Sequence, residues 1–337
     1  MSPDWSPSAG LVAGVIADAL FGDPRRWHPV AGFGATARWL EHRVYADSRT
    51  RGALFAACGL AIGAGPAGLA ARGCRDKLAA RTCLTAACTW TVLGARSLGR
   101  SAEQVRRALL GADIEAARRL LPSLCGRDPE HLNAAQITAA VIESVAENTS
   151  DAIVAPLLWG ALAGSTGLAA YRAVNTLDAM VGHRSPRYER FGWASARLDD
   201  VANVVPARLT ALLTAACAPS VSGSAETAWL MARHDGPLHP SPNAGWCEAA
   251  FAGALGVRLG GPLSYAGIAE SRPFLCAGRA PVPEDISRAI RLSRAVAICA
   301  ACVAATIALA DPSCAFAIRA SSRDGRARSS PTARNRG

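Results

Sequence analysis

Glu143, Glu147 and Asp151 are the residues from which chemistry can first be read. On a helix from His131 to Asp151 they are spaced i, i+4 and i+8, which aligns them along one face with Ser144 and Asn148 alongside. Three carboxylates stacked that way repel one another unless something positive lies between them, and a divalent cation or a shared proton relieves that repulsion. Asn175 and Asp178 follow, one helical turn apart, and Asp199, Asp200 and Asn203 make a further cluster. Oxygen donors of this kind suit Mg²⁺, which takes a few carboxylates and completes its shell with phosphate oxygens and water. Between the last two clusters lie His183, Arg184, Arg187, Arg190 and Arg197. Arginine forks recognise phosphate and carboxylate, so acids flanking arginines are what a metal–nucleotide site requires. A solvated acidic face is the plainer reading of the first trio, and the uncharged run that begins directly after Asp151 weighs against it.

Those residues need apolar elements to hold them. Of 337 residues, 50% are hydrophobic and only 18% charged, against about 25% charged in ordinary soluble domains. Gly52 to Ala71, Ala152 to Tyr171 and Leu209 to Ala225 carry no charge at all, and each is near the roughly 17–25 residues that cross a bilayer as a helix. Leu11 to Phe21, Thr82 to Ala95 and Ala295 to Ala310 are shorter, a length at which re-entrant or tilted helices compete with spanning ones. Ser101 to Leu121, with Val105, Leu109 and Leu110 among charges, predicts an amphipathic helix outside the apolar core. Alternating strand patterns are scarce. The expected fold is therefore all-α, an integral membrane helical bundle with several transmembrane or re-entrant helices. Residues 1–318 are expected to form one membrane-embedded catalytic domain and 319–337 a basic disordered tail.

Composition also excludes. No Lys or Arg precedes Leu11 and Asp18 interrupts the apolar run that follows, so a secretory signal is not expected. A net charge of +10, much of it after Ile318, with only 6% aromatic residues argues against nucleic-acid binding and for contact with lipid headgroups. Lys77 is the only lysine and no GxxxxGK occurs, so nucleotide is not held by a P-loop. HExxH and paired CxxC motifs are missing too; Cys299 and Cys302 stand alone as a CxxC and read as packing.

Two smaller motifs remain open from spacing alone. DALFGDPRRWHPV closes the first apolar run, and HPSPNAGW, His239 to Trp246, is either a loop over a ligand or an ordered connector.

These motifs, with ESVAENTSDAIVAPLLWG, YRAVNTLDAMVGHRSPRYERFGWASARLDDVANVVPARL and GALGVRLGGP, together resemble the adenosylcobinamide-phosphate synthases of cobalamin biosynthesis, the CobD/CbiB family, from about Leu11 to Ala310. The resemblance implies an ATP-dependent amide ligase in the cytoplasmic membrane, multi-pass, with its active site facing the cytoplasm. It would use ATP and Mg²⁺ to join adenosylcobyric acid to aminopropanol or aminopropanol O-phosphate. Expected partners are those substrates and membrane lipid, and a homo-oligomer is compatible with the sequence. A polytopic transporter and a Mg²⁺-dependent membrane phosphotransferase are the rival classes.

The resemblance assigns no residue roles, so these are inferred from the chemistry. A carboxylate accepts an amine only once its oxygen becomes a leaving group, which phosphorylation by ATP achieves. Such a site needs cations to screen phosphate, a base for the ammonium and donors for an oxyanion. Asp151, Asp178, Asp199 and Asp200 are expected to hold Mg²⁺, Arg184 and Arg187 the phosphates, and Glu147 or Glu143 to act as base. Asn148 and Asn175 would orient the carboxyl.

One constraint follows from length. A straight helix over Ala152 to Tyr171 would put Asp151 and Arg172 about 30 Å apart at 1.5 Å per residue, on opposite faces of a bilayer. A single site requires that segment to break, near Pro156, Gly160 or Gly164, and return.

Overall fold

The computed structural model describes residues 5–24, 28–183, 185–265 and 268–310. The basic tail expected over 319–337 lies outside the described residues, as do Arg25, Arg26 and Arg184.

Helix α1 (Ser6–Phe21), α2 (Pro29–Val44), α3 (Arg49–Gly73) and α4 (Leu78–Val92) open the chain. Gly10 and Gly14, one turn apart on α1, lie against Thr85 and Thr89 of α4, and a Cβ at either glycine would collide with the facing threonine. Small residues let two apolar helices approach closely, which substitutes for the hydrophobic drive that lipid does not supply. α3 is the reverse case: 25 residues with mean hydropathy 1.7 in its most apolar window, of which only 17% is buried. An apolar helix that leaves most of its surface uncovered by protein is suited to lipid.

The amphipathic segment expected over Ser101 to Leu121 is two helices, α5 (Ala95–Leu110) and α6 (Ile114–Leu120). Ala112 takes a positive φ of 56° between them, and the Asp113 carboxylate accepts the Ala116 N–H at 2.8 Å to start the second. Ala102, Val105 and Leu109 form the buried face of α5, while Leu110 is exposed.

α7 (Ala134–Thr149) begins with a capping box between Asn133 and Gln136. It runs through one π-turn at Ser150–Val154 into α8 (Ala155–Val181). Within α8 the helix breaks: Ala163 (φ −136°, ψ 17°) and Gly164 (φ 61°, ψ −150°) leave helical geometry. Gly164 occupies a region open essentially to glycine alone. The chain reverses there, and Asn175, as far beyond Ala163 as Asp151 is before it, donates to the Asp151 carboxylate at 3.4 Å. The segment therefore folds back, at one of the three places its sequence allowed.

α9 (Trp193–Cys217), α10 (Ala225–His234) and α11 (Ala244–Leu255) follow. A hairpin of β1 (Leu259–Tyr265) and β2 (Ile268–Leu275) comes next, antiparallel with Leu259 opposite Leu275, and then α12 (Pro283–Ala310). The hairpin adds the one strand pair among the described residues. Gly260 and Gly261 at positive φ and a bulge before Pro262 break the alternation by which a strand would have been read.

The main core lies where α7, α8, α11 and α12 meet, with Ile137, Ile142, Leu157, Phe251 and Val296 fully enclosed. Each such side chain contributes roughly 1.5–3 kcal/mol by burial. A smaller core of Leu40, Phe55, Leu177 and Phe191 joins α2 and α3 to the end of α8. Among the described residues four segments are long and apolar enough to cross a membrane, in α3, α7–α8, α9 and α12; the second of these is the one that reverses.

Candidate active site

Glu147 is in the last turn of α7, Asp151 sits in the π-turn, Asp178 lies on the returning arm of α8, and Asp199 and Asp200 are on α9. All five line one cavity of about 110 Å³. A π-turn adds a residue to the helical ladder and re-aims the side chains at that point, a device frequent at functional sites.

Carboxamides tie the acids together. Asn175 reaches Asp151 and Asp199 at 3.4 Å each, and Asn203 donates to the other Asp199 oxygen at 2.9 Å. Tyr171 donates in turn to Asn203 at 2.9 Å, and Arg172 to the Asn175 carbonyl at 3.3 Å. Among the described residues no arginine lines the cavity, and the one ion pair to these five carboxylates is Arg197 with Asp200 at 3.6 Å, Arg197 being largely exposed.

The opposite wall is the HPSPNAGW loop and the start of α11, through Ser241, Asn243, Ala244 and Cys247. Asn243 fixes it: its amide donates to the Asp200 carbonyl at 2.7 Å, and its oxygen accepts from Arg208 at 2.6 Å. The Arg208 guanidinium in turn stacks on Trp246 at 4.8 Å. Loop and acidic helix are thus bolted to each other across the cavity.

The sequence profile of the CobD/CbiB protein family matches residues 11–293. The chain belongs to the CobD/CbiB family. The cobalamin biosynthesis protein CobD of Mycobacterium tuberculosis is 52% identical over 305 residues, 89% of this chain and 96% of that protein. The namesake in Geobacter metallireducens is 44% identical over 273 residues, covering 79% and 86% of the two chains. That in Chromobacterium violaceum is 42% identical over 287 residues, covering 84% and 90%. No solved structure matches.

In this CobD/CbiB chain the remaining described candidates, Glu143, Asn148 and Arg187, are engaged outside the cavity lining, and Arg184 lies outside the described residues. Glu143 is buried in an ion pair with Arg127 and accepts the Gly260 N–H at 2.7 Å. Four residues turn a helix about 40° past a full circle, so Glu143 and Glu147 diverge enough to serve different neighbours. Asn148 donates back to the Ser144 carbonyl at 2.9 Å. Arg187 pairs with the buried Glu41 at 3.1 Å and stacks on Tyr45 at 4.0 Å, tying the end of α8 to α2. Sequence reasoning left out Ser150, Ser241 and Asn243; the Pro and Asn content of the loop was the one signal for the last two.

A second buried polar group stands behind α11. Glu248 is 3% exposed, with His239 Nε2 at 3.8 Å and Arg272 at 3.2 Å from the same nitrogen. Burial holds the Glu248 carboxyl well above the usual carboxylate range; Glu143 and Glu147 add to this, and Arg272 and Arg127 oppose it.

Among the described residues no three His, Cys, Asp or Glu side chains converge closely enough to enclose a metal by themselves. Among the described residues the donor set of the cavity is nonetheless carboxylate and carboxamide oxygen, with Arg172 reaching it through Asn175 and Arg197 pairing with Asp200. That fits Mg²⁺, which keeps several waters and shares phosphate oxygens where other ions demand a full protein cage.

Proposed function

We propose that this chain is an ATP-dependent amide ligase of cobalamin biosynthesis, joining the propionate carboxyl of adenosylcobyric acid to the amine of aminopropanol or its O-phosphate. The relatives' names supply the pathway, and one observation carries the chemistry: acids from both arms of a folded-back helix and from α9 line a single cavity. A transport path would not require the segment to return.

In the proposed reaction a carboxylate oxygen of the corrinoid attacks the γ-phosphorus of ATP, giving an acyl phosphate and ADP. The amine nitrogen then attacks the acyl carbon and inorganic phosphate departs with the bonding pair. Mg²⁺ held by Asp151, Asp178, Asp199 and Asp200 would screen the triphosphate charge. Glu147 is the glutamate that opens onto the cavity, so it is assigned the proton of the attacking ammonium. Glu143, already neutralised by Arg127, is not. Asn175 and Asn203 hold Asp151 and Asp199 in register and keep two repelling carboxylates adjacent before substrate arrives. The cavity is assigned to the cytoplasmic side, where ATP is supplied.

Purified protein in detergent, given ATP, Mg²⁺, cobyric acid and aminopropanol phosphate, is expected to form one new amide for each ADP released. An amide formed with ATP intact, or no amide at all, would overturn this reading, and substrate flux across vesicles would replace it with transport.

A further inference from the structure

Tyr171 and Arg172 are neighbours on the returning arm of α8, and neither lines the cavity. Consecutive helical residues point about 100° apart, so the two serve different partners. Tyr171, 3% exposed, reaches Asn203 on α9, while Arg172 reaches Asn175 one turn further along its own helix. Among the described residues Arg172 forms no ion pair, although the charges of Asp151 and Asp23 reach it, and its Nε has no hydrogen-bond partner. A guanidinium held in an apolar span without a contacting carboxylate is costly, and such a residue marks function.

The two contacts fix which way the carboxamides face. A carboxylate only accepts, so Asn203 and Asn175 must turn their N–H groups to the acids and their oxygens away. Asn203 donates to Asp199 Oδ2 at 2.9 Å, and Asn175 to Asp199 Oδ1 and Asp151 Oδ2 at 3.4 Å each. The oxygens turned away need donors. Tyr171 gives an O–H to one at 2.9 Å, and Arg172, which cannot accept, gives an N–H to the other at 3.3 Å. Polarity therefore runs inward along both chains, from hydroxyl or guanidinium through amide to carboxylate, and each bond polarises the next.

We infer that Tyr171 and Arg172 are positioning residues for the divalent cation, acting through Asn203 and Asn175 to hold Asp151 and Asp199 with lone pairs open to it. This rests on the Mg²⁺ assignment made above. An arginine placed directly on the acids would take the lone pairs that a metal needs. Set one amide back, its charge still offsets theirs, while Asp199 uses a single hydrogen bond on each oxygen. A carboxylate has about four acceptor sites, so about half remain for metal and water. Outer partners of this kind orient the ligands, and losing one typically weakens metal binding about 10–100-fold. Both residues reach the site because α8 turns back at Gly164; a straight helix would carry them away from Asp151.

The test is equilibrium binding of Mn²⁺, which shares the oxygen preference of Mg²⁺, to the full chain in detergent, read by electron paramagnetic resonance with Mg²⁺ as competitor. Tyr171→Phe, which removes one oxygen and keeps the ring, and Arg172→Met are each expected to weaken binding about 10–100-fold. In an Asn203→Ala background Tyr171→Phe should cause no further loss, and Arg172→Met none in Asn175→Ala, a pattern that packing alone would not produce. Should Arg172→Met fail to fold, the tyrosine cycle decides. Parent-strength binding in Tyr171→Phe, or losses that add in its cycle, overturns the inference and leaves the ligase reading standing wherever amide still forms. The expected cycles without amide formation keep the inference and remove the ligase. A parent protein that binds no Mn²⁺ overturns the inference, and the amide assay then judges the ligase by itself.

Discussion

Asn175 donates to the Asp151 carboxylate at 3.4 Å across a helix that has turned back on itself. These two residues flank an uncharged run long enough to separate them by the thickness of a membrane. Their contact makes Ala163 and Gly164 as important to the cavity as any residue lining it. The site is a consequence of a broken helix.

Gly164→Ala tests that dependence. No heavy atom lies within 4 Å of a Cβ added there, so the cost is conformational: φ 61° and ψ −150° are held by residues other than glycine at about 1–3 kcal/mol. The variant is expected to lose that much stability and to lose activity out of proportion, because any relaxation toward straight helix pulls Asn175 from Asp151. A thermal midpoint paired with the amide-forming assay checks it, and full activity would show that the reversal survives without glycine.

Glu143 and Glu147, one turn apart, are expected to fail in opposite ways. Glu143→Ala leaves Arg127 charged and buried, both side chains being only 7% exposed, and breaking such a pair costs about 3–5 kcal/mol. Glu147→Gln removes a charge that opens onto the cavity, so the fold should hold while amide formation falls about 10²–10⁴-fold, the scale of a lost general base. Unfolding curves and turnover measured on both variants separate the two roles.

Part of this was written in the chain and part was not. That Ala152 to Tyr171 breaks was legible because a single site and a straight helix there are geometrically incompatible; that the break falls at Gly164, and not at Pro156 or Gly160, was not. That Asp151, Asp178, Asp199 and Asp200 share one cavity was legible because oxygen donors recur at helical spacing beside apolar runs. The diversion of Glu143 was not, since its partners Arg127 and Gly260 are distant in sequence and only tertiary packing brings them in. Arg187 misleads for the same reason: Glu41, far away on α2, claims it. The π-turn that re-aims Asp151 has no sequence signal of its own, and the Ser241–Asn243 wall showed only as a loop rich in Pro and Asn.

Asp178 stands on the returning arm of α8 and lines the cavity. It has no ion pair among the described residues. Asp178→Asn keeps its shape and removes its charge, so the protein should reach the membrane folded, with turnover lost by about 10²–10³-fold or more, the scale of deleting one preorganised electrostatic partner. Raising Mg²⁺ should recover part of the loss if the carboxylate holds the cation. Activity equal to the parent protein would remove Asp178 from the metal set.

Glu248 offers a prediction in pH. Burial raises its carboxyl above the ordinary value of 4.5, so the folded chain keeps a proton that the unfolded chain releases. Where the folded state binds more protons, stability falls as pH rises: the loss begins as pH passes the unfolded value of about 4.5 and continues until the folded group itself ionises. Glu248→Gln mimics the protonated form and cannot ionise. Its thermal midpoint in detergent is therefore expected to gain on that of the parent protein as pH is raised from about 4.5 toward neutrality, the difference being smallest at the acid end. A constant difference across that range would mean that Glu248 folds as the carboxylate, held by Arg272 and Arg127 rather than by a proton.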